Sequence, residues 1–185
     1  MTQSARPYVD NNALQEATRA VSATPELGRV TFTLKGTAQG GIAVQGVTGP
    51  LVQGRNVDSS RAGRFTLKGD EPHALLGHDT GVSPAEYILM GLAGCYTVVL
   101  TTQAAQRGWE LSGIELKLSF DLDLRGFLGL DPTVRKGAQA IHADIHVTGE
   151  GLTKEQVEEL VRALPEHSPI HDTLANPVTI IPRVV

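Results

Sequence analysis

The single cysteine of this chain, Cys95, is the side chain with the clearest capacity for chemistry. A thiolate is a strong nucleophile, and peroxides oxidise it to a sulfenic acid. Cys95 lies in a run of small and apolar residues, GLAGCYTVVL. Free cysteine is also among the most buried residue types, so an inert core thiol would fit the same run. The local sequence therefore leaves both a reactive and a structural thiol open.

Histidines offer a second possible chemistry, because imidazole is a common metal ligand. His142, Asp144 and His146 alternate along one predicted strand and should project from the same face. That spacing would suit a Zn²⁺ site, but the polar-out pattern of an antiparallel strand favours a solvated face. Four other histidines lie in two segments with loop character: His73, His78, His167 and His171. Histidine spacing in loops is only weakly diagnostic of metal, so we predict no metal site. A histidine beside Cys95 would instead favour its thiolate form.

Composition narrows the possible functions. The 185 residues contain 41% hydrophobic residues, which suffice for one sizeable core. The net charge is −4 and the 16 Lys and Arg residues are scattered, so no nucleic-acid partner is expected. We identify no run of eighteen apolar residues and no secretory signal, and we expect neither a membrane partner nor export. One cysteine excludes an intrachain disulfide, and a reducing cytoplasm is the simplest compartment. No cofactor motif is identified.

The spacing of apolar residues along the chain predicts the strands and helices that position these side chains. Alternating segments predict strands at 29–35, 42–47, 113–124 and 140–149, with short strands at 63–69 and 177–185. Residues 49–62 are polar and predict a loop. A short helix is predicted within residues 1–26, treated as an N-terminal extension to one domain spanning 27–185. Thr153 and Gln156 form a capping box for a helix that ends near Leu164.

The strongest local signal is a long helix that begins at Ser83. Ser83 and Glu86 form a second capping box, in which Ser83 Oγ accepts from the amide of residue 86, and Pro84 occupies the first helical position. Seven residues share a predicted face at helical spacing: Ile88, Gly91, Leu92, Cys95, Val98, Val99 and Thr102. The opposite side is also fairly apolar, which predicts a helix buried on most of its circumference. Gly91 and Gly94 would allow a second helix to approach closely.

Together these motifs resemble the OsmC/Ohr family. SPAEYILMGLAGC resembles the family helix that carries the peroxidatic cysteine, and GDEPHALLGHDTGVSP resembles the loop before it. RGFLGLD, the second long strand, the capped helix and SPIHDTLANPV resemble the C-terminal half of OsmC-like members. The resemblance covers roughly residues 27–185. It implies an α+β fold in which curved antiparallel sheets surround two long central helices of an intertwined homodimer.

The resemblance also implies roles for particular residues. Cys95 occupies the peroxidatic position, and Ser168 occupies the position of the resolving cysteine, where it cannot form a disulfide. The glutamate that follows the helix-initiating proline in the family is Ala85 here, and Glu86 stands next to it. The family's active-site arginine comes from the N-terminal strand region, where Arg64 is a candidate and Arg55 and Arg61 are alternatives.

Two functions are compatible with this incomplete set of catalytic residues. One is a one-cysteine reductase of small organic hydroperoxides that external thiols regenerate. The other is a dimeric module that holds an apolar small molecule at the subunit interface without turnover. The position of Cys95 favours the first function, and the loss of its catalytic partners favours the second.

Overall fold

The computed structural model describes residues 6–184, which fall into two compact units. One unit comprises residues 12–87, and the other comprises residues 6–11 together with 88–184. The long helix α2, Pro84–Arg107, starts at the end of the first unit and contributes most of its length to the second.

The 12–87 unit contains one α-helix besides the start of α2, two small antiparallel sheets and three short 3₁₀ helices, Pro25–Gly28, Ser59–Arg61 and His73–Leu75. The helix is α1, Asn11–Ala23. The sheets have the strand orders β1-β4-β5 and β2-β3-β6. Their strands are β1 Val30–Thr31, β2 Leu34–Ala38, β3 Val44–Thr48, β4 Leu51–Gln53, β5 Asn56–Asp58 and β6 Thr66–Gly69.

The second unit places α2 with a hairpin of two long strands, β7 Gly113–Asp121 and β8 Ala140–Thr148. Their register pairs Ile114 with Val147 and Phe120 with Ile141. Four short helices complete the unit: α3 Leu124–Phe127, α4 Lys154–Arg162, α5 Leu164–His167 and α6 Pro169–Ala175. The capping box predicted at Thr153 and Gln156 is confirmed.

The core of this second unit forms where α2 meets the inner face of the hairpin and α4. Leu100 and Leu160 are fully buried, and Leu92 and Val99 are only 4% exposed. The apolar side chains of β7 and β8 pack against this cluster. Burial of each such leucine contributes about 1.5–3 kcal/mol relative to exposure. The core therefore fixes which side of α2 faces inward.

The buried side of α2 differs from the predicted one. The structure buries Leu92, Tyr96, Val99, Leu100, Gln103 and Ala104. Val98 is 61% exposed, Ile88 is 37% exposed and Gly91 is also exposed, so three residues of the predicted face lie outside the core. Tyr96 occupies the inward position that the prediction overlooked. The opposite side, which includes Met90 and Val98, is exposed in the single chain, so nothing in one chain tests the prediction of a helix buried on most of its circumference.

The polar residues of β8 lie on the outer face of the hairpin. His142, Asp144 and His146 are exposed, and His142 Nε2 lies 3.1 Å from Asp121 Oδ2. Lys117 of β7 lies opposite Asp144. Within residues 6–184, no three side chains of the metal-ligating types converge. This arrangement is that of a solvated sheet face with cross-strand charge pairs.

In the 12–87 unit, the loop before α2 is organised around one carboxylate. Asp70 is 2% exposed and accepts hydrogen bonds from Thr80 Oγ1 at 2.8 Å and from the amides of Glu71, His78 and Thr80. These bonds, first of all that of the Thr80 hydroxyl, lower the pKa of Asp70 to about 2. The loop is thereby held in one conformation as it enters the helix.

Four predictions of secondary structure need correction. The 29–35 segment is two strands, because the chain leaves one sheet after Thr31 and joins the other at Leu34. Residues 49–62 include β4 and β5, three-residue strands too short to show alternation. Strand β7 ends at Asp121, three residues early, because α3 begins at Leu124. Residues 177–184 form no strand, since no described strand pairs with them.

Candidate functional site

Cys95 lies in the middle of α2, at the margin of the core. It is half-buried and precedes Tyr96, which is 6% exposed. The thiol is therefore neither fully enclosed in the core nor freely exposed. A reactive cysteine needs such partial access, whereas a fully buried thiol is inert.

Ser168 lies directly against this thiol. Its hydroxyl Oγ is 3.1 Å from Cys95 Sγ, and the residue is 2% exposed. The same Oγ accepts the backbone amide of His171 at 3.1 Å and thereby caps the N-terminus of α6. A hydroxyl carries one donor proton and two acceptor lone pairs. Because the amide occupies one acceptor site, the Ser168 proton is free to point to the sulfur.

His171 connects α6 back to α2. Its Nδ1 lies 2.6 Å from the hydroxyl of Tyr96, and the two rings stack with centroids 6.0 Å apart. Burial raises the pKa of Tyr96, and the negative charge of the Cys95 thiolate raises it further. Tyr96 therefore stays protonated at neutral pH and can donate its hydroxyl proton to the imidazole. Cys95, Tyr96, Ser168 and His171 form one connected cluster.

Glu86 is accounted for by its capping role. Its Oε2 accepts from the amide of Ser83 at 2.9 Å, and the residue is otherwise exposed. The reciprocal bond differs from the predicted one, because Ser83 Oγ accepts from the amide of Ala85 at 3.2 Å. An exposed carboxylate that is fixed by a helix start has a structural explanation, and its catalytic role stays a prediction.

The candidate arginines have partners within the 12–87 unit. The guanidinium carbons of Arg64 and Arg61 each lie 5.2 Å from the centroid of the Phe65 ring. Arg55 forms an ion pair of 3.6 Å with Glu26. Cation–ring contacts of this kind contribute roughly 0.5–1 kcal/mol at exposed sites. These contacts explain the local placement of the three side chains and leave the assignment of Arg64 as a prediction.

The remaining loop histidines lie in different local surroundings. His73 Nδ1 lies 3.1 Å from the carbonyl of Gly77 in its own loop, and His167 is exposed at the end of α5. Within the 88–184 unit, His171 contacts Tyr96, which follows the thiol in sequence. Tyr96 was missed by the sequence reasoning, although a tyrosine on an apolar helix face usually needs a hydrogen-bond partner.

Comparison with known proteins identifies the family to which this chain belongs. A family model described as OsmC-like protein matches residues 77–183, more than half of the chain. The chain therefore belongs to the OsmC-like family. The resemblance inferred from sequence is confirmed, and the single cysteine is consistent with a branch that lacks the resolving cysteine. Among curated proteins, no sequence matches significantly.

Solved structures with the same fold come from several bacteria. An OsmC-like protein from Mycoplasma pneumoniae matches with a TM-score of 0.60 and 14% identity, over 78% of this chain and 87% of that one. A putative osmotic stress induced and detoxification response protein from Psychrobacter arcticus matches with a TM-score of 0.56 and 17% identity, over 77% of this chain and 88% of that one. An organic hydroperoxide resistance protein OsmC from Legionella pneumophila matches with a TM-score of 0.55 and 20% identity, over 77% of this chain and 88% of that one. The predicted α+β OsmC/Ohr fold is confirmed.

The contact between Ser168 and Cys95 predicts an engineered crosslink. A disulfide needs a sulfur separation of about 2.0 Å and Cα atoms within about 7 Å, and the present Oγ–Sγ distance is 3.1 Å. Ser168→Cys should therefore form a disulfide with Cys95 after mild peroxide treatment, detected by mass spectrometry of a non-reducing digest. The substitution should also weaken the cap of α6, at a cost of about 1 kcal/mol.

Thr173→Cys is the matched control, because it adds an exposed thiol to the same helix. It should leave Cys95 as a free thiol within the monomer. If Ser168→Cys folds normally and both thiols remain titratable after peroxide, the placement of α6 against α2 is wrong.

Proposed function

We propose that this protein is a one-cysteine, thiol-dependent reductase of small organic hydroperoxides. The observation that carries the proposal is the hydrogen bond from the buried Ser168 hydroxyl to a half-buried Cys95 thiol. Membership of the OsmC-like family supports it. The Legionella neighbour, described as an organic hydroperoxide resistance protein and predicted redox protein, has the same fold and suggests the substrate class.

The first step would be the reduction of the peroxide. The Cys95 thiolate attacks the distal oxygen of the hydroperoxide, so that an S–O bond forms and the O–O bond breaks. The leaving alkoxide takes the proton that the thiol released and departs as an alcohol. Sulfur loses two electrons to the peroxide and becomes a sulfenic acid.

Ser168 would assist this step through its hydrogen bond. The Ser168 hydroxyl, 3.1 Å from the sulfur, would hold the reacting thiolate in one orientation through a charge-assisted hydrogen bond. The same donor can hold the sulfenate oxygen or sulfur after oxidation. A serine cannot attack the sulfenic acid as a second cysteine would, and Cys95 is the only cysteine of the chain.

The second step would require an external thiol. One thiol attacks the sulfenic sulfur and releases water, which leaves a mixed disulfide on Cys95. A second thiol attacks that disulfide, restores the Cys95 thiol and departs as the oxidised reductant. The cycle thus consumes one peroxide and two thiols, and it needs no metal or organic cofactor.

The active form is proposed to be a homodimer. Among the described residues of the 12–87 unit, no apolar side chain is buried, and Phe32 is 75% exposed. Met90 and Val98 of α2 are also exposed, and a Cβ added at Gly91 or Gly94 would meet no atom within 4 Å. Exposed apolar surface of this extent is typical of an interface. Light scattering should give twice the 19.7 kDa chain mass, and a stable folded monomer would contradict this assembly.

Sulfenic acid formation at Cys95 tests the proposal. Treatment of the native protein with a stoichiometric organic hydroperoxide, followed by dimedone, should place one adduct on Cys95, located by mass spectrometry. Ser168→Ala should slow labelling about tenfold, because a hydrogen bond to a charged group contributes about 1.5–3 kcal/mol. Thr173→Ala, on the same helix, is the control and should label at the wild-type rate.

Labelling that requires unfolding would contradict the proposal. In that case Cys95 would be a core thiol, and the alternative of a binding module without turnover would gain support. An equal labelling rate in Ser168→Ala and wild type would remove the role assigned to Ser168 while leaving that of Cys95.

A further inference from the structure

A cleft of about 220 Å³ opens in the 88–184 unit between α2, the start of β8 and α6. Its apolar wall comes from Leu92 of α2, Ile141 and Ala143 of β8, and Leu174 of α6. Leu92 is 4% exposed, so the wall is continuous with the core. Cys95 and Ser168 do not line this cleft, but Tyr96 and His171 of the thiol cluster do, so the cleft borders that cluster without including the thiol itself.

The charge on the polar side of the cleft is positive. Arg135 lines it together with Gln139, Tyr96 and His171, and no aspartate or glutamate is among its lining residues. Within residues 6–184, no carboxylate lies within ion-pair distance of the Arg135 guanidinium. Because the chain as a whole carries a net charge of −4, this local positive charge is not a general property of its surface.

The segment that carries Arg135 is held in place. Gln139 Nε2 donates to the carbonyl of Arg135 at 2.9 Å, and the Gln139 amide donates to the carbonyl of Asp121 at 2.7 Å. Gly126 is buried against the same segment, where an added Cβ would lie 2.5 Å from the Arg135 carbonyl oxygen. The backbone that carries the cation is thus fixed before any ligand arrives, which lowers the entropic cost of binding.

We propose that this cleft binds a small monocarboxylic acid with an apolar body. The body would lie against Leu92, Ile141 and Leu174, and the carboxylate would pair with Arg135, whose planar guanidinium suits bidentate contact with two oxygens. The cleft is smaller than the roughly 300–1,000 Å³ of pockets for drug-sized ligands, so it suits a single ring or a short chain. The proposal does not depend on the thiol chemistry of Cys95.

Titration with hydrocinnamate tests this site by calorimetry and by methyl NMR. Hydrocinnamate should bind saturably and shift the methyl signals of Leu92, Ile141 and Leu174. Arg135→Gln should raise the dissociation constant about tenfold for the acid, whereas binding of the neutral hydrocinnamyl alcohol should be unchanged. Lys136→Gln is the matched control, since Lys136 is the adjacent exposed cation and does not line the cleft.

A second variant keeps the test independent of charge. Ala175 is exposed and lines the cleft, so Ala175→Trp should block the space without disturbing a buried position and should weaken binding of both acid and alcohol. The proposal is overturned if hydrocinnamate fails to saturate, if Arg135→Gln binds it like wild type, or if the shifted methyl groups lie elsewhere. None of these results would bear on dimedone labelling of Cys95, so the two proposals fail separately.

Discussion

The packing of α2 against the β7–β8 hairpin is the constraint on which the site depends. Leu100 and Leu160 lose all contact with solvent there, and Leu92 and Val99 lose nearly all. This burial fixes the rotation of α2 about its axis, because turning the helix would expose leucine side chains at about 25 cal/mol for each Å² of apolar surface. With that rotation set, Cys95 falls at the edge of the core and Tyr96 falls inside it.

The C-terminal helices then bring the second half of the cluster to the thiol. α5 ends at His167, and Ser168 caps α6 through the amide of His171. The capping bond orients the hydroxyl toward Cys95, while the side chain of His171 meets Tyr96. One residue thus starts a helix and donates to the sulfur. A cysteine at the same position would place two sulfurs close together on the same backbone.

The long, strongly patterned elements could be predicted from sequence, and the short or context-dependent ones could not. The start of α2 as a long helix followed from the Ser83–Glu86 signal and its apolar run, and the strands β7 and β8 followed from alternation over nine residues, although their pairing was not predicted. The inward position of Tyr96 could not be predicted, because both sides of α2 are apolar and only the hairpin and α4 decide between them. The segment 177–184 has the composition of a strand, but a strand requires a partner, and none of the described strands pairs with it.

The proposed function requires Cys95 to reduce peroxide repeatedly with electrons from external thiols. The most direct measurement follows alcohol production from an organic hydroperoxide by the native protein, with a monothiol and with a dithiol as reductant, beside Cys95→Ser. We expect many alcohol molecules per protein chain with either reductant, a rate that rises with thiol concentration, and no production above background for Cys95→Ser. Alcohol production by the native protein that equals that of Cys95→Ser under both reductants would contradict it.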